Sequence, residues 1–280
     1  MGICNKVAGV IAPIVLGSVV LKDADVLIKR LKGMSTAQKV LELNSLAAKV
    51  IVPYIVILVA LVILAFLVYL SSLPAIDTDH EDETLANANV NKKSIVQFPH
   101  LMLGVVTLFF CVGVEVIAGD TIIRYGAAQG IALSTAKFFT SCTLGAMVAG
   151  YIVGIIAIPK YIKQDKAFKI CAILGIIFSI AALCTTRYTS VMFIASLGLA
   201  NSLMWPAVWP LAIADLGRFT KIGSSLLIMG IAGGAIMPLL YGRLTDLYNA
   251  RMAYCILIPC YLFIWYYAGY GHKIRTAAKG

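Results

Sequence analysis

Apolar blocks long enough to cross a lipid bilayer recur along most of this chain, and they constrain its fold more than any other feature. The hydrocarbon core of a bilayer needs about 20 apolar residues of helix. Blocks of this kind occupy approximately residues 4–22, 50–72, 100–118, 137–159, 168–185, 190–213, 222–241 and 253–270. They lack the alternating pattern of membrane barrels, so their backbone groups must be satisfied within helices. The sequence therefore predicts an all-α polytopic membrane protein with about eight transmembrane helices.

The chain has few charges for its length, and their positions predict how it lies in the membrane. Only 13% of the 280 residues are charged, against about 25% in soluble domains. The net charge of +10 is scattered among short loops without a basic stripe, which argues against nucleic-acid binding. The positive loops 160–169 and 214–221 and the basic tail 272–280 are predicted to face the cytoplasm, as is the C-terminus. The basic residues of the loop 22–49 argue the other way.

One long polar stretch, 74–98, divides the chain into two parts. It contains an acidic cluster around a histidine and an asparagine-rich run, and we interpret it as a solvated cytoplasmic linker. A metal site built on the same acids is the alternative. Residues 1–73 then hold two transmembrane helices and residues 99–271 hold six. Within the loop 22–49, the stretch 36–49 is amphipathic and could lie along the membrane surface.

Two carboxylates, Glu115 and Asp120, belong to the third block, although the chain has ample apolar surface. An ionised side chain at the bilayer centre costs ~2.5–3.5 kcal/mol or more, and such residues usually line a path for ions or polar solutes. Glu115 has no cation on its own helix, so it is predicted to bind a polar solute or to exchange a proton. Packing against another helix is the alternative. Asp120 and Arg124 stand at i,i+4 and could form a salt bridge, or take part in coupling or gating.

The sixth block carries a stripe of aromatic and amide side chains. Asn201, Trp205 and Trp209 recur at i, i+4 and i+8, beside Pro206 and Pro210, which interrupt the helical hydrogen bonds and free backbone carbonyls. Aromatic faces stack on the C–H faces of sugars, and an amide both donates and accepts hydrogen bonds. The stripe is therefore a candidate sugar site. The alternative is an interfacial tryptophan belt with a helix-packing asparagine.

Glycines mark the seventh block, and a polar residue marks the first. The seventh contains Gly223, Gly230, Gly233 and Gly234, which permit close helix contact and bending. In the first block, Asn5 is a candidate polar ligand, with a simple interhelical hydrogen bond as the alternative.

Three segments resemble a known family. Residues 2–17, 110–126 and 205–246 are similar to the fucose–galactose–glucose:proton symporter family of the major facilitator superfamily, and in particular to its bacterial glucose/galactose transporters. The resemblance implies a fold of twelve helices in two six-helix lobes, with alternating access to a sugar site between them.

The resemblance also implies an organisation for this chain. It corresponds to helices 5–12 of the family fold, so it is expected to be truncated at its N-terminus. Residues 1–73 would be the remainder of the N-terminal lobe, with a periplasmic loop between its two helices. Residues 74–98 would connect the lobes in the cytoplasm, and residues 99–271 would form the complete C-terminal lobe.

For the site, the resemblance implies roles for three residues. Asn5 matches a polar substrate-site position of the fifth family helix, and Trp205 matches an aromatic position before proline that contacts sugar in the tenth. Glu115 occupies a position where relatives have an acid or its amide. The proton-coupling acids of the first and fourth family helices have no counterpart in this chain.

The predicted function is secondary active import of a hexose or deoxyhexose, of the glucose, galactose or fucose class, across the bacterial inner membrane. A proton, or else a sodium ion, would be the coupling ion, and access would alternate between the two sides. The alternative is a non-transporting sugar-binding sensor or remnant subunit, which would bind sugar without counterflow in proteoliposomes. Enzyme, metal and cofactor motifs are not found, so the chain is not expected to be an enzyme. The expected partners are sugar, coupling ion and lipid bilayer, with no nucleic acid, and the full-length protein is expected to be a monomer.

Overall fold

The computed structural model describes residues 2–20, 26, 30–31, 33–71 and 94–274. Across these ranges the chain forms α-helices joined by turns and short 3-10 segments, without strands. The helices are α1 (Gly2–Val20), α2 (Thr36–Leu70), α3 (Pro99–Asp120), α4 (Ile122–Ala128), α5 (Leu133–Ala136), α6 (Phe139–Lys160), α7 (Gln164–Cys184), α8 (Arg187–Asn201), α9 (Met204–Ile213), α10 (Thr220–Gly230), α11 (Gly233–Leu247), α12 (Ala250–Ala253) and α13 (Leu257–Gly269).

Seven helical segments of the described chain are long and apolar enough to cross a membrane. They are Thr36–Leu70, Pro99–Asp120, Leu133–Ile158, Gln164–Cys184, Arg187–Ile213, Gly217–Leu247 and Ala250–Lys273. The first predicted crossing contributes a shorter apolar helix, Cys4–Ser18. The predicted class, an all-α polytopic membrane protein, is confirmed.

Helix α2 differs from the prediction. It begins at Thr36 and continues for 35 residues without a break, so the stretch 36–49 is the first part of the transmembrane helix and not a separate surface element. Its start is capped, since the Ser35 N–H donates to Gln38 Oε1 at 3.2 Å. Neither glycine nor proline occurs between 36 and 52 to end the helix there. At 1.5 Å per residue α2 is about 52 Å long, so it tilts or projects beyond a hydrocarbon core of ~30 Å.

Helix α3 lies at the centre of the part that follows residue 94. It contacts α8, α9, α10, α11 and α13, and its inner face is fully buried. Glycines on the facing helices allow this approach. A Cβ atom at Gly233 would collide with the Phe109 carbonyl oxygen, and one at Gly230 would lie 2.9 Å from the Val105 carbonyl oxygen. The close helix contact predicted from the glycine-rich seventh block is therefore present.

Helix α1 packs antiparallel against α6, and this contact positions the first residues of the chain. The Ser141 hydroxyl donates to the Val10 carbonyl at 2.9 Å, and Gly9 faces the Leu144 side chain. Further along, the Lys137 ammonium group donates to the Gly17 carbonyl at 3.5 Å. Helix α1 is thus attached to the predicted C-terminal lobe.

The ends of the predicted linker and tail are partly described. Residues 74–93 of the linker and 275–280 of the tail lie outside the described residues. The linker ends in a 3-10 turn, Ile95–Gln97, which leads into buried Phe98. The predicted tail begins inside the fold, because His272 is buried and its Nδ1 hydrogen-bonds with the Tyr267 carbonyl at 2.9 Å.

Candidate functional site

A cavity of about 300 Å³ lies where α1, α3, α6 and α9 meet. It is lined by Asn5, Lys6, Val112, Glu115, Tyr151, Trp205 and Ile231. Three residues that the sequence predicted as substrate ligands, Asn5, Glu115 and Trp205, thus come together from three different helices. The volume is at the lower end of the range of small-molecule pockets, ~300–1,000 Å³.

An ion pair between Lys6 and Glu115 forms the charged wall of the cavity. The Lys6 Nζ atom contacts Glu115 Oε1, and the two side chains are only 16% and 22% exposed. The pair joins α1 to α3 across 109 positions of sequence. It explains how a carboxylate is accommodated in a membrane-spanning helix, since intramembrane charges usually pair with one another.

Lys6 is the functional candidate that sequence reasoning missed. Sequence spacing reveals partners on one helix, and Lys6 comes from another. The available signal was compositional: an isolated lysine in an apolar block and an acid without a partner in another block have complementary charges.

One tryptophan forms the aromatic wall, and a second packs against it. The Trp205 side chain lines the cavity and is 40% exposed. Trp209 packs against it with ring centroids 5.6 Å apart and planes inclined by 33°. Trp209 is not among the residues that line the cavity, and its contact with the site is through the Trp205 ring.

The prolines of this helix have the predicted effect on its backbone. Pro210 has no N–H, so the carbonyl of Pro206 cannot be paired within the helix. Gln164 compensates: its Nε2 donates to the Pro206 carbonyl at 2.9 Å. The first turn of α7 thereby holds the first turn of α9, which carries Trp205.

Asn201 does not line the cavity. Helix α8 ends at Asn201 and α9 begins at Met204, so the stripe predicted on a continuous helix is broken between them. The Asn201 side chain is 2% exposed, and its Oδ1 accepts a hydrogen bond from the Tyr261 hydroxyl at 2.8 Å. Its Nδ2 has no hydrogen-bond partner among the described residues. Asn201 thus joins α8 to α13 inside the helix bundle.

The other predicted charged residues, Asp120 and Arg124, lie at the end of α3 and in α4, outside the lining of the cavity. Asp120 is exposed and is the last residue of α3. Arg124 pairs with Asp246 at 3.6 Å rather than with Asp120, and both members are about two-thirds exposed, at 67% and 68%. An exposed pair of this kind contributes ~0–1 kcal/mol, and a coupling or gating role for these residues stays a prediction.

The chain is similar to named sugar transporters. No family model matches it. It is 31% identical over 233 residues to a glucose/galactose transporter of Brucella abortus, which covers 82% of this chain and 55% of that protein. It is 27% identical over 268 residues to the L-fucose-proton symporter of Escherichia coli, covering 94% of this chain and 60% of the symporter.

The fold matches a solved transporter. The crystal structure of the major facilitator superfamily transporter FucP in the outward conformation superposes with a TM-score of 0.66, at 23% identity, over 95% of this chain and 66% of FucP. The described part of the chain therefore has the fold of this transporter. The relatives of the chain are glucose/galactose transporters and L-fucose-proton symporters, which confirms the resemblance seen in the sequence, and they are transporters rather than enzymes. The chain spans about half the length of the curated relatives that it matches.

Proposed function

We propose that this chain forms part of a sugar symporter that binds a hexose or deoxyhexose in the cavity between α1, α3, α6 and α9 and imports it with a coupling ion. The observation that carries the proposal is the composition of the cavity, where an indole face, an amide and an ion pair converge. The names of the relatives support a sugar of the glucose, galactose or fucose class, and a proton ahead of sodium.

Each wall has a task in this proposal. The indole of Trp205 stacks on the apolar C–H face of the ring. Asn5 donates and accepts hydrogen bonds. The N–H groups of Lys6 and the carboxylate oxygen of Glu115 that are not used in the ion pair bind the remaining hydroxyls. These contacts are needed because a buried hydroxyl left without a partner costs ~1–3 kcal/mol.

The wider arrangement is proposed on the same basis. The protein would lie in the bacterial inner membrane with its C-terminus in the cytoplasm, as the positive loops indicate. Residues 1–73 would belong to one lobe and residues 99–271 to the other, with 74–98 as the cytoplasmic connection. The cavity lies where α1 of the first part meets the second, as a site between two lobes requires. We expect the full-length transporter to be a monomer.

Counterflow of radiolabelled sugar in proteoliposomes tests the function. We expect purified protein, isolated from its native membrane, to exchange D-glucose, D-galactose or L-fucose across the proteoliposome membrane. Unlabelled sugar of the same kind should compete with the radiolabelled sugar. Vesicles with the Asn5→Ala variant are expected to exchange less. Sugar binding without any exchange, or no binding at all, would contradict the proposal.

A further inference from the structure

The Lys6–Glu115 pair differs from the surface ion pair of the same chain. Both of its members are less than a quarter exposed, whereas Arg124 and Asp246 are about two-thirds exposed. It also connects α1 to α3, whereas the helix against which α1 mainly packs is α6. Removal of one partner of a buried pair leaves the other as an uncompensated charge, which strongly destabilises the protein.

Among the described residues, the ion-pair partner of Glu115 is Lys6. Tyr151 on α6, Cys111 on α3 and Tyr261 on α13 are near enough to interact with Glu115 electrostatically. Phenol and thiol groups are uncharged at neutral pH. Lys6 is thus the group that balances this carboxylate.

The negative charge of a carboxylate inside a membrane protein is compensated in one of three ways: the carboxylate binds a proton, it binds a metal cation, or a cationic side chain lies beside it. We propose that Lys6 is a built-in counter-cation, which takes at Glu115 the place that a coupling proton or sodium ion would otherwise take. The inference builds on the proposed function, because it says where in the cavity the coupling ion does not bind. Lys6 becomes a positioning residue that keeps Glu115 ionised and oriented toward the sugar.

The proposal predicts that sugar binding by the Lys6→Met variant depends more steeply on pH than sugar binding by the wild type. Without the ammonium group, the Glu115 carboxylate is a part-buried charge that has lost its ion-pair partner, and such a charge is costly unless it is neutralised. Sugar binding by Lys6→Met is then expected to weaken about tenfold or more between about pH 5.5 and about pH 8.5. This loss is expected in excess of any change that the wild type shows over the same interval, with or without added sodium, because a coupling ion bound elsewhere affects both proteins.

Thermal unfolding in detergent tests the pair without requiring transport. We expect Lys6→Met to unfold at a lower temperature than the wild type, and the difference to grow as the pH rises. The double variant Lys6→Met/Glu115→Gln should recover much of the loss, because no unpaired charge remains. Lys166→Met, at an exposed lysine in the first turn of α7, is the matched control and should leave the pH dependence unchanged.

The charge-swapped variant Lys6→Glu/Glu115→Lys covers the case in which Lys6→Met does not fold. It should accumulate in the membrane where Lys6→Glu alone does not. Independent, additive effects of the two positions, or a Lys6→Met variant whose unfolding and sugar binding show the same pH dependence as the wild type, would overturn the proposal. A wild type that unfolds as expected but binds no sugar would overturn the proposed function and leave the ion pair standing.

Discussion

At the scale of single residues, neighbouring side chains give the cavity walls of different chemistry. Trp205 presents a flat apolar surface, Asn5 an amide, and the Lys6–Glu115 pair concentrated charge. A ligand that satisfies all of them has an apolar face and a rim of hydroxyls. A monosaccharide meets that description.

Removal of the Trp205 indole is expected to weaken sugar binding by about tenfold, or ~1.4 kcal/mol, because the stacking surface is lost. Isothermal titration of Trp205→Ala with the sugar that the wild type binds best measures the change. Trp265→Ala is the matched control, since Trp265 lies on α13 and is similarly exposed at 36%, but does not line the cavity. Equal losses in the two variants would show that the effect is not specific to the cavity.

Neutralisation of the two α3 acids is expected to have unequal effects. Glu115→Gln should reduce uptake more than Asp120→Asn, because Glu115 is paired inside the cavity whereas Asp120 is exposed at the end of the helix. Initial rates of uptake into vesicles, normalised to protein amount, measure both. Wild-type activity of Glu115→Gln across pH and sugar concentration would remove Glu115 from the site.

At the scale of elements, glycines and prolines decide how closely the helices approach. Gly233 brings α11 against the backbone of α3, and the carbonyl freed by Pro210 is bound by the first turn of α7. These two contacts hold α3 and α9, which carry Glu115 and Trp205. The site is therefore expected to be sensitive to substitutions outside it.

Gly233→Ala should destabilise the protein by about 1–3 kcal/mol, because the added methyl group collides with the Phe109 carbonyl and the helices must separate. Gly242→Ala in the same helix is the control, since a Cβ there has nothing within 4 Å. It should be neutral or stabilise by up to about 1 kcal/mol, as alanine favours helix. Unfolding temperatures in detergent compare them, and equal values would contradict the packing described here.

Gln164→Leu should lower stability by ~1 kcal/mol or more, because the Pro206 carbonyl then lacks a hydrogen-bond partner. Lys163→Leu, an exposed neighbouring position, is expected to have a smaller effect on the same unfolding assay. If Lys163→Leu were the more damaging of the two, the Gln164 hydrogen bond would not be holding α9.

At the scale of the whole molecule, apolar block length predicted the class and most crossings, since block length alone limits what a bilayer accepts. The meeting of Asn5, Glu115 and Trp205 was also predicted, through the resemblance. Asn201 lies outside the cavity lining because α8 ends there, whereas periodicity assumes an unbroken helix; its role in sugar binding stays a prediction. Lys6 was missed because its partner is 109 residues away, a relation that only tertiary packing creates.

Fluorescence titration of the purified protein tests the central claim, that the cavity binds a monosaccharide. The chain has three tryptophans, of which Trp205 lines the cavity and Trp209 packs on it. We expect D-glucose, D-galactose or L-fucose to change the emission in a saturable way, and the change to shrink strongly in Trp205→Phe but not in Trp265→Phe. Emission that none of these sugars alters, or a saturable change that survives in Trp205→Phe undiminished, would contradict the account.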